Sequence, residues 1–308
     1  MTFFGRTASC ASENGIRNVW RSFEGMDTVP SLFDRAPMEK NPTSLTFERE
    51  RPRLCAIVIT KNEEQNIQGC LESVRWADEI VVVDAESVDR TVQAARRYTD
   101  KVFVRSWPGF GPQKNFAMDQ TTAEWILVVD ADERVTDTLQ QEIRRVLQAG
   151  PASDVAGFEI PRRNFFYGRW IRGGGIYPDY QLRLFRHSAG RYDDVLLHEN
   201  LRLSGRIERL VHPMDHHSMP GVREHVRKMI RYSTLGAQEK LKARSRVTVM
   251  DLAANHLGTI FKTYVLRGGY RDGVHGIIVA LFAGMHTFVK YAKAWEVLRA
   301  RGQGDVKR

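Results

Sequence analysis

Short apolar runs punctuate the first half of the chain: Leu54-Cys55-Ala56-Ile57-Val58-Ile59-Thr60, Ile80-Val81-Val82-Val83 and Trp125-Ile126-Leu127-Val128-Val129. None alternates with polar residues, the pattern of strands buried on both faces of a parallel sheet. A third strand is expected at Lys101–Arg105. Ile67, Cys70, Leu71 and Val74 share one face of a helix over Asn66–Val74. A second helix is expected from the Ser87–Thr91 stretch to about Tyr98, and a third over Gln113–Asp119. Thr136 is placed to cap a fourth, running to Leu147. Four strand–helix alternations predict a doubly wound α/β sheet made of βαβ units. Past Val155 the pattern changes to short strands, aromatics and glycines, and past Gly221 it reads as helix to the end.

Two of these runs end in acids. Glu79–Val83 leads to Asp84, and Trp125–Val129 leads to Asp130-Ala131-Asp132-Glu133. Carboxyl ends of strands are where open α/β sheets bind ligands. With one small residue between them, Asp130 and Asp132 can converge on a hard divalent cation, which takes oxygen ligands and bridges to phosphates. Glu133 is expected to cap or brace the next helix.

The 42% apolar content suffices for a core, and the net charge of +9 favours an anionic partner. Three widely spaced cysteines (Cys10, Cys55, Cys70) form neither a zinc pattern nor a disulfide framework, which suits a reducing compartment. No secretory signal, internal repeat or nucleic-acid motif is visible, and no nucleic-acid partner is expected. The expected organisation is a loosely ordered leader over 1–52, a catalytic domain over 53–220 and a helical region over 221–308.

The stretches Leu54–Glu64, Val82-Val83-Asp84 and Asp130-Ala131-Asp132-Glu133 together resemble family 2 glycosyltransferases of the GT-A fold. Gln113-Lys114-Asn115-Phe116-Ala117, Tyr177–Phe185 and Leu197-His198-Glu199 are similar to the subgroup that adds glucose to a heptose of the lipopolysaccharide core. The resemblance covers roughly residues 52–300 and implies a mixed, mostly parallel sheet flanked by helices. It implies a metal-dependent, inverting transfer from a nucleotide-sugar, with UDP-glucose as donor and a lipid-linked glycan as acceptor. Asp132, Asp130 and His216 would hold Mg²⁺ or Mn²⁺. Thr60, Asn62, Glu63, Asp84, Lys114 and Asp130 would contact the donor, Asp84 at its uridine and Lys114 at its phosphates. One departure stands at Asp84-Ala85-Glu86-Ser87-Val88-Asp89, where the family carries small residues and glycine or serine.

Inversion by direct displacement needs a base for the attacking hydroxyl. Asp179 follows a loop rich in glycine and aromatics (Trp170, Gly173, Gly174, Gly175, Tyr177) and is the first choice; Glu199 is the second. The histidines lack a tight zinc spacing, which argues against a zinc hydrolase. Three other readings are weighed: transfer to polyprenyl phosphate or another envelope glycan, a sugar nucleotidyltransferase, and a non-catalytic binding module. The nucleotidyltransferase lacks its glycine-rich loop here, because Lys61-Asn62-Glu63-Glu64 stands in that place. Near the end, Gly273–Phe288 is apolar and, as a helix, about 24 Å long. That falls short of a hydrocarbon core of roughly 30 Å. An interfacial helix on an anionic membrane surface, at the cytoplasmic face of a bacterial inner membrane, is expected instead, with a buried core or dimer helix as the alternative.

Overall fold

The computed structural model describes residues 51–193, 201–243 and 247–305. Its first half is a parallel sheet: β1 (Leu54–Thr60), α1 (Ile67–Val74), β2 (Glu79–Asp84), α2 (Thr91–Ala95), β3 (Val102–Val104), α3 (Phe110–Asp119) and β4 (Trp125–Asp130). Strand β1 lies in the middle, parallel to both β2 and β4. Its alternate residues enter two cores. Leu54, Ala56 and Val58 pack with Ile67 and Leu71 of α1, while Cys55, Ile57 and Ile59 pack with Ala117 and Met118 of α3. Covering both faces explains why the strand carries no polar alternation.

The chain then adds β5 (Glu133–Val135), α4 (Asp137–Ala149), the twelve-residue β6 (Val155–Phe166), β7 (Arg169–Trp170), β8 (Asp179–Arg186), β9 (Gly190–Tyr192), β10 (Leu201–Leu203), β11 (Arg206–Arg209) and β12 (Met214–Met219). The main sheet runs β3-β2-β1-β4-β8-β6-β12-β5, with β7 and β11 paired to β6. Strand β8 joins antiparallel to both β4 and β6. The result is a mixed sheet flanked by helices, as expected for a GT-A fold. The long β6 places residues from β8 and β12 on either side of one strand.

Several expectations need adjustment. Helix α2 ends at Ala95 rather than near Tyr98, because Arg97 and Tyr98 donate to carbonyls three residues back and tighten the last turn. Helix α3 starts at Phe110, ahead of the expected Gln113. Pro112 falls in its first turn, where a missing N–H leaves no bond unmade. Glu133 does not cap α4. Thr136 does, its hydroxyl accepting from the Leu139 amide at 3.2 Å, while Glu133 is fully buried in β5.

Helices α5 (Val222–Ala243), α6 (Val249–Phe261) and α7 (Val274–Asp305) complete the chain. Residues 262–266 widen into a π turn, and Gly269–Asp272 forms a 3-10 turn before α7. Helix α7 has 32 residues, so the expected sixteen-residue segment is only its first half. The described residues belong to one compact unit spanning Arg49–Arg308.

Candidate active site

Two polar loops leave the carboxyl ends of β1 and β2 and are tied to each other by side chains. Ser87 donates to both oxygens of Asp84, through its amide at 2.7 Å and its hydroxyl at 2.5 Å. Its hydroxyl accepts from the Asn62 amide at 2.7 Å, and Asn62 Oδ1 accepts from the Val88 amide at 2.9 Å. Asp89 accepts from the amides of Glu64 and Thr91. Asn62 and Glu86 both hold left-handed backbone, at φ 54° and 55°. Glu86 therefore takes the conformation that glycine adopts without cost, although it carries a side chain. Asp84 is wholly buried, so its carboxylate shapes this turn from within. Thr60 is also buried, and its hydroxyl has no hydrogen-bond partner. Its carbonyl accepts from the Ala85 amide at 2.9 Å.

At the end of β4 the two predicted metal acids diverge. Asp130 Oδ2 lies 2.5 Å from a guanidinium nitrogen of Arg183 in β8, and its Oδ1 lies 4.0 Å from Lys114 Nζ. Burial raises the Asp130 pKa, but Arg183 and Lys114 outweigh it and hold the carboxyl well below the ordinary range. Lys114 is a buried cation, set 5.1 Å from the centre of the Tyr192 ring. The neighbouring Asn115 fixes that tyrosine by two bonds to its backbone, at 2.9 and 3.0 Å.

Glu133 is the hub beneath. Its Oε2 accepts from the Asp130 amide at 2.9 Å, and its Oε1 accepts from Arg183 at 2.6 Å and Arg162 at 3.0 Å. Arg162, on β6, turns its other nitrogens to Asp179 Oδ2 at 2.6 and 3.0 Å. Asn164 adds an amide bond to the same oxygen at 3.2 Å, and Gln181 donates to Oδ1 at 2.8 Å. Burial pushes the Asp179 pKa up, but Arg162 and these donors bring it below the usual carboxylate value.

Asn164 also orients His216, on β12. Because its amide nitrogen faces Asp179, its carbonyl oxygen faces the ring and accepts from His216 Nδ1 at 2.6 Å. The opposite nitrogen, Nε2, lies 3.4 Å from Asp132 Oδ2. Lys228 of α5 approaches the same oxygen at 4.0 Å. Burial raises the Asp132 pKa, and the His216 contact and Lys228 bring it below its ordinary value despite Asp130 nearby. Glu63 is raised, first by burial, with the negative Asp132 adding to it.

The sequence-predicted residues therefore fall in three groups: Thr60, Asn62, Glu63 and Asp84; Lys114 with Asp130; and Asp132, His216 and Asp179. Glu199 lies outside the described residues. Among the described residues no cluster of three or more His, Cys, Asp or Glu is poised around one point. Asp132 and His216 fit a divalent cation as a pair, because a histidine anchored at Nδ1 presents its Nε2 lone pair outward. Asp130 has one oxygen, Oδ2, held by Arg183, which leaves Oδ1 as the atom that would reach a cation. Sequence reasoning missed Arg162 and Asn164. Their signal is the two-residue spacing that sets both on one face of β6.

Residues 55–198 match glycosyl transferase family 2. Over 261 residues the chain is 29% identical to the lipopolysaccharide core biosynthesis glycosyltransferase LpsC of Rhizobium meliloti, covering 82% of this chain and 96% of that one. It is 27% identical to an uncharacterized glycosyltransferase of Rickettsia felis, covering 80% and 90%. Among solved structures, the mannosyltransferase PcManGT of Pyrobaculum calidifontis, in complex with GDP-Man and Mn²⁺, aligns with a TM-score of 0.45 at 17% identity, over 85% of this chain and 82% of that one.

Proposed function

From the premise that this chain belongs to glycosyltransferase family 2, we propose that it moves glucose from UDP-glucose, with inversion, to a heptose of a lipid-linked lipopolysaccharide core. Domain limits of 53–220 for catalysis and 221–308 for the helical extension belong to the same proposal, as does a place at the cytoplasmic face of a bacterial inner membrane. The kinship with a lipopolysaccharide core enzyme supports the acceptor class.

The observation that carries the reading is the linked file of side chains Asp132–His216–Asn164–Asp179, in which the first two would take the cation and the last the proton. Asp132 and His216 Nε2 would hold Mg²⁺ or Mn²⁺, which when bound supplies Lewis-acid stabilisation of the departing diphosphate. Lys114 adds a fixed positive charge on the Asp130 side. Asp179 takes the proton as the acceptor oxygen bonds to the sugar's anomeric carbon. The bond from that carbon to the phosphate oxygen breaks, and UDP leaves with the electron pair. Arg162 and Gln181 hold Asp179 in one orientation. Their donation also lowers its basicity, so its contribution rests on position as much as on proton affinity.

Calorimetric titration with UDP and UDP-glucose, with and without Mn²⁺, tests the donor. Transfer of labelled glucose to a heptose-terminated core glycolipid tests the acceptor. Metal-dependent UDP binding with transfer is the expected result; indifference to UDP in both Mg²⁺ and Mn²⁺ would overturn the reading.

A further inference from the structure

Helices α6 and α7 form an antiparallel pair, since Thr259 meets Thr287 at 3.2 Å and Ile260 packs at Gly284. One side of α7 packs against α5, where Lys293 donates to Ser233 and Thr234. The other side is bare and apolar. Ile277, Leu281, Met285 and Phe288 recur at helical spacing, and Leu257 and Phe261 extend the surface on α6; these six are 43–63% exposed. Every exposed residue from Val274 to Phe288 is apolar. By length and composition α7 could cross a bilayer over Val274–Ala300, but its packing against α5 and α6 fits a helix lying on a surface.

Charge decides the partner. The turn joining α6 to α7 exposes Lys262, Arg267 and Arg271. The acid of that turn, Asp272, is buried and points inward, accepting from the amides of Arg172 and Gly173. Apolar stripes beside a tip of exposed cations suit acyl chains beside anionic headgroups. A second copy of this chain would bring cations against cations at that tip.

The same turn grips the loop ahead of Asp179. Arg267 accepts at its carbonyl from the Gly174 amide at 2.9 Å, and a Cβ on Gly173 would lie 2.3 Å from the Gly268 carbonyl. The Ile176 carbonyl of that loop in turn accepts from Asn164 at 3.4 Å. We propose that the α6–α7 pair docks on an anionic bilayer and that its turn presents the 172–177 loop to an acceptor held in that bilayer. The second clause rests on the acceptor reading given above; the docking does not.

The experiment is flotation of the full chain with vesicles of phosphatidylglycerol and phosphatidylethanolamine, against vesicles of phosphatidylcholine alone. Mass measurement by light scattering accompanies it. The chain should float with the anionic vesicles and be released by salt. Leu257→Glu with Leu281→Glu should cut binding about tenfold or more, and Lys262→Glu with Arg267→Glu likewise. Far-UV circular dichroism and the melting temperature of these variants report that they are folded, and manganese-dependent UDP binding is measured beside them. Equal flotation of wild type and variants would overturn the proposal. So would a wild-type chain that ignores vesicles but is a dimer that Leu281→Glu splits, which would assign the face to a second copy. Loss of UDP binding by the wild type would count against the donor reading and leave docking standing.

Discussion

Arg183 donates to Asp130 Oδ2 at 2.5 Å through the same guanidinium nitrogen that reaches Glu133 Oε1 at 2.6 Å. This relation separates two aspartates that look equivalent in the sequence. Asp130 is tied to β8 through Arg183, and under the proposed function Asp132, one residue beyond Ala131, is the acid that takes the cation. Exchange to asparagine should therefore split the two. Asp132→Asn should abolish manganese-dependent UDP binding and lower the melting temperature less than Asp130→Asn does. Asp130→Asn should lower the melting temperature and keep a measurable metal requirement. Calorimetry and thermal unfolding, run on both variants, check the pair.

Arg183→Met leaves Glu133, wholly buried, with Arg162 as its remaining cation and Asp130 without its close partner. Breaking a buried ion pair from one side typically costs about 3–5 kcal/mol. Urea denaturation at neutral pH should show a loss of that order.

Asp130, Asp132 and Asp179 all have folded pKa values below their unfolded value of 3.8. A depressed carboxylate contributes stability that is complete above its unfolded pKa and is lost as pH falls through the folded one. Urea midpoints should hold steady from pH 7 down to about 4 with respect to these groups and then drop. In Arg183→Met the drop should be shallower, because the cation that depresses Asp130 is gone.

Asn164 sets which His216 nitrogen faces Asp132. Partners that orient a metal-bound histidine typically contribute about 10–100-fold in affinity. Asn164→Ala should weaken Mn²⁺ binding in the presence of UDP by that factor, measured by calorimetry, while Thr138→Ala on exposed α4 should not.

Asp179→Asn should reduce transfer by about 10²–10⁴-fold if the carboxylate takes the acceptor proton. The dissociation constant for UDP-glucose should stay near wild type. Steady-state rates beside calorimetry separate the two effects.

The parallel half of the sheet was legible because β1, β2 and β4 are apolar on both faces, as at Ile57 and Val58, and β2 and β4 end in an acid. Thr136 was legible as a cap because its role depends only on residues next to it. Glu133 was not: its partners, Arg162 and Arg183, lie on β6 and β8, and strand pairing between distant segments leaves no local trace. The sequence marks Lys114 as a contact for the donor phosphates; its burial was not legible, because it depends on the Asn115–Tyr192 contact that folds a far segment over it. The acids at the strand ends were visible one by one; the pairing of Arg183 with Asp130 and of Arg162 with Asp179 was not. The length of α7 was hidden by Lys290 and Lys293, which suggest an end although the helix continues and Lys293 turns toward α5.

The carboxamide of Asn164 has one end on His216 and the other on Asp179. Any rotation that suits an ion at the histidine is felt at the carboxylate, and the reverse holds equally. For the metal and acceptor proposed above, thermodynamic reciprocity then requires that whatever factor the metal adds to glycan affinity, the glycan returns to the metal.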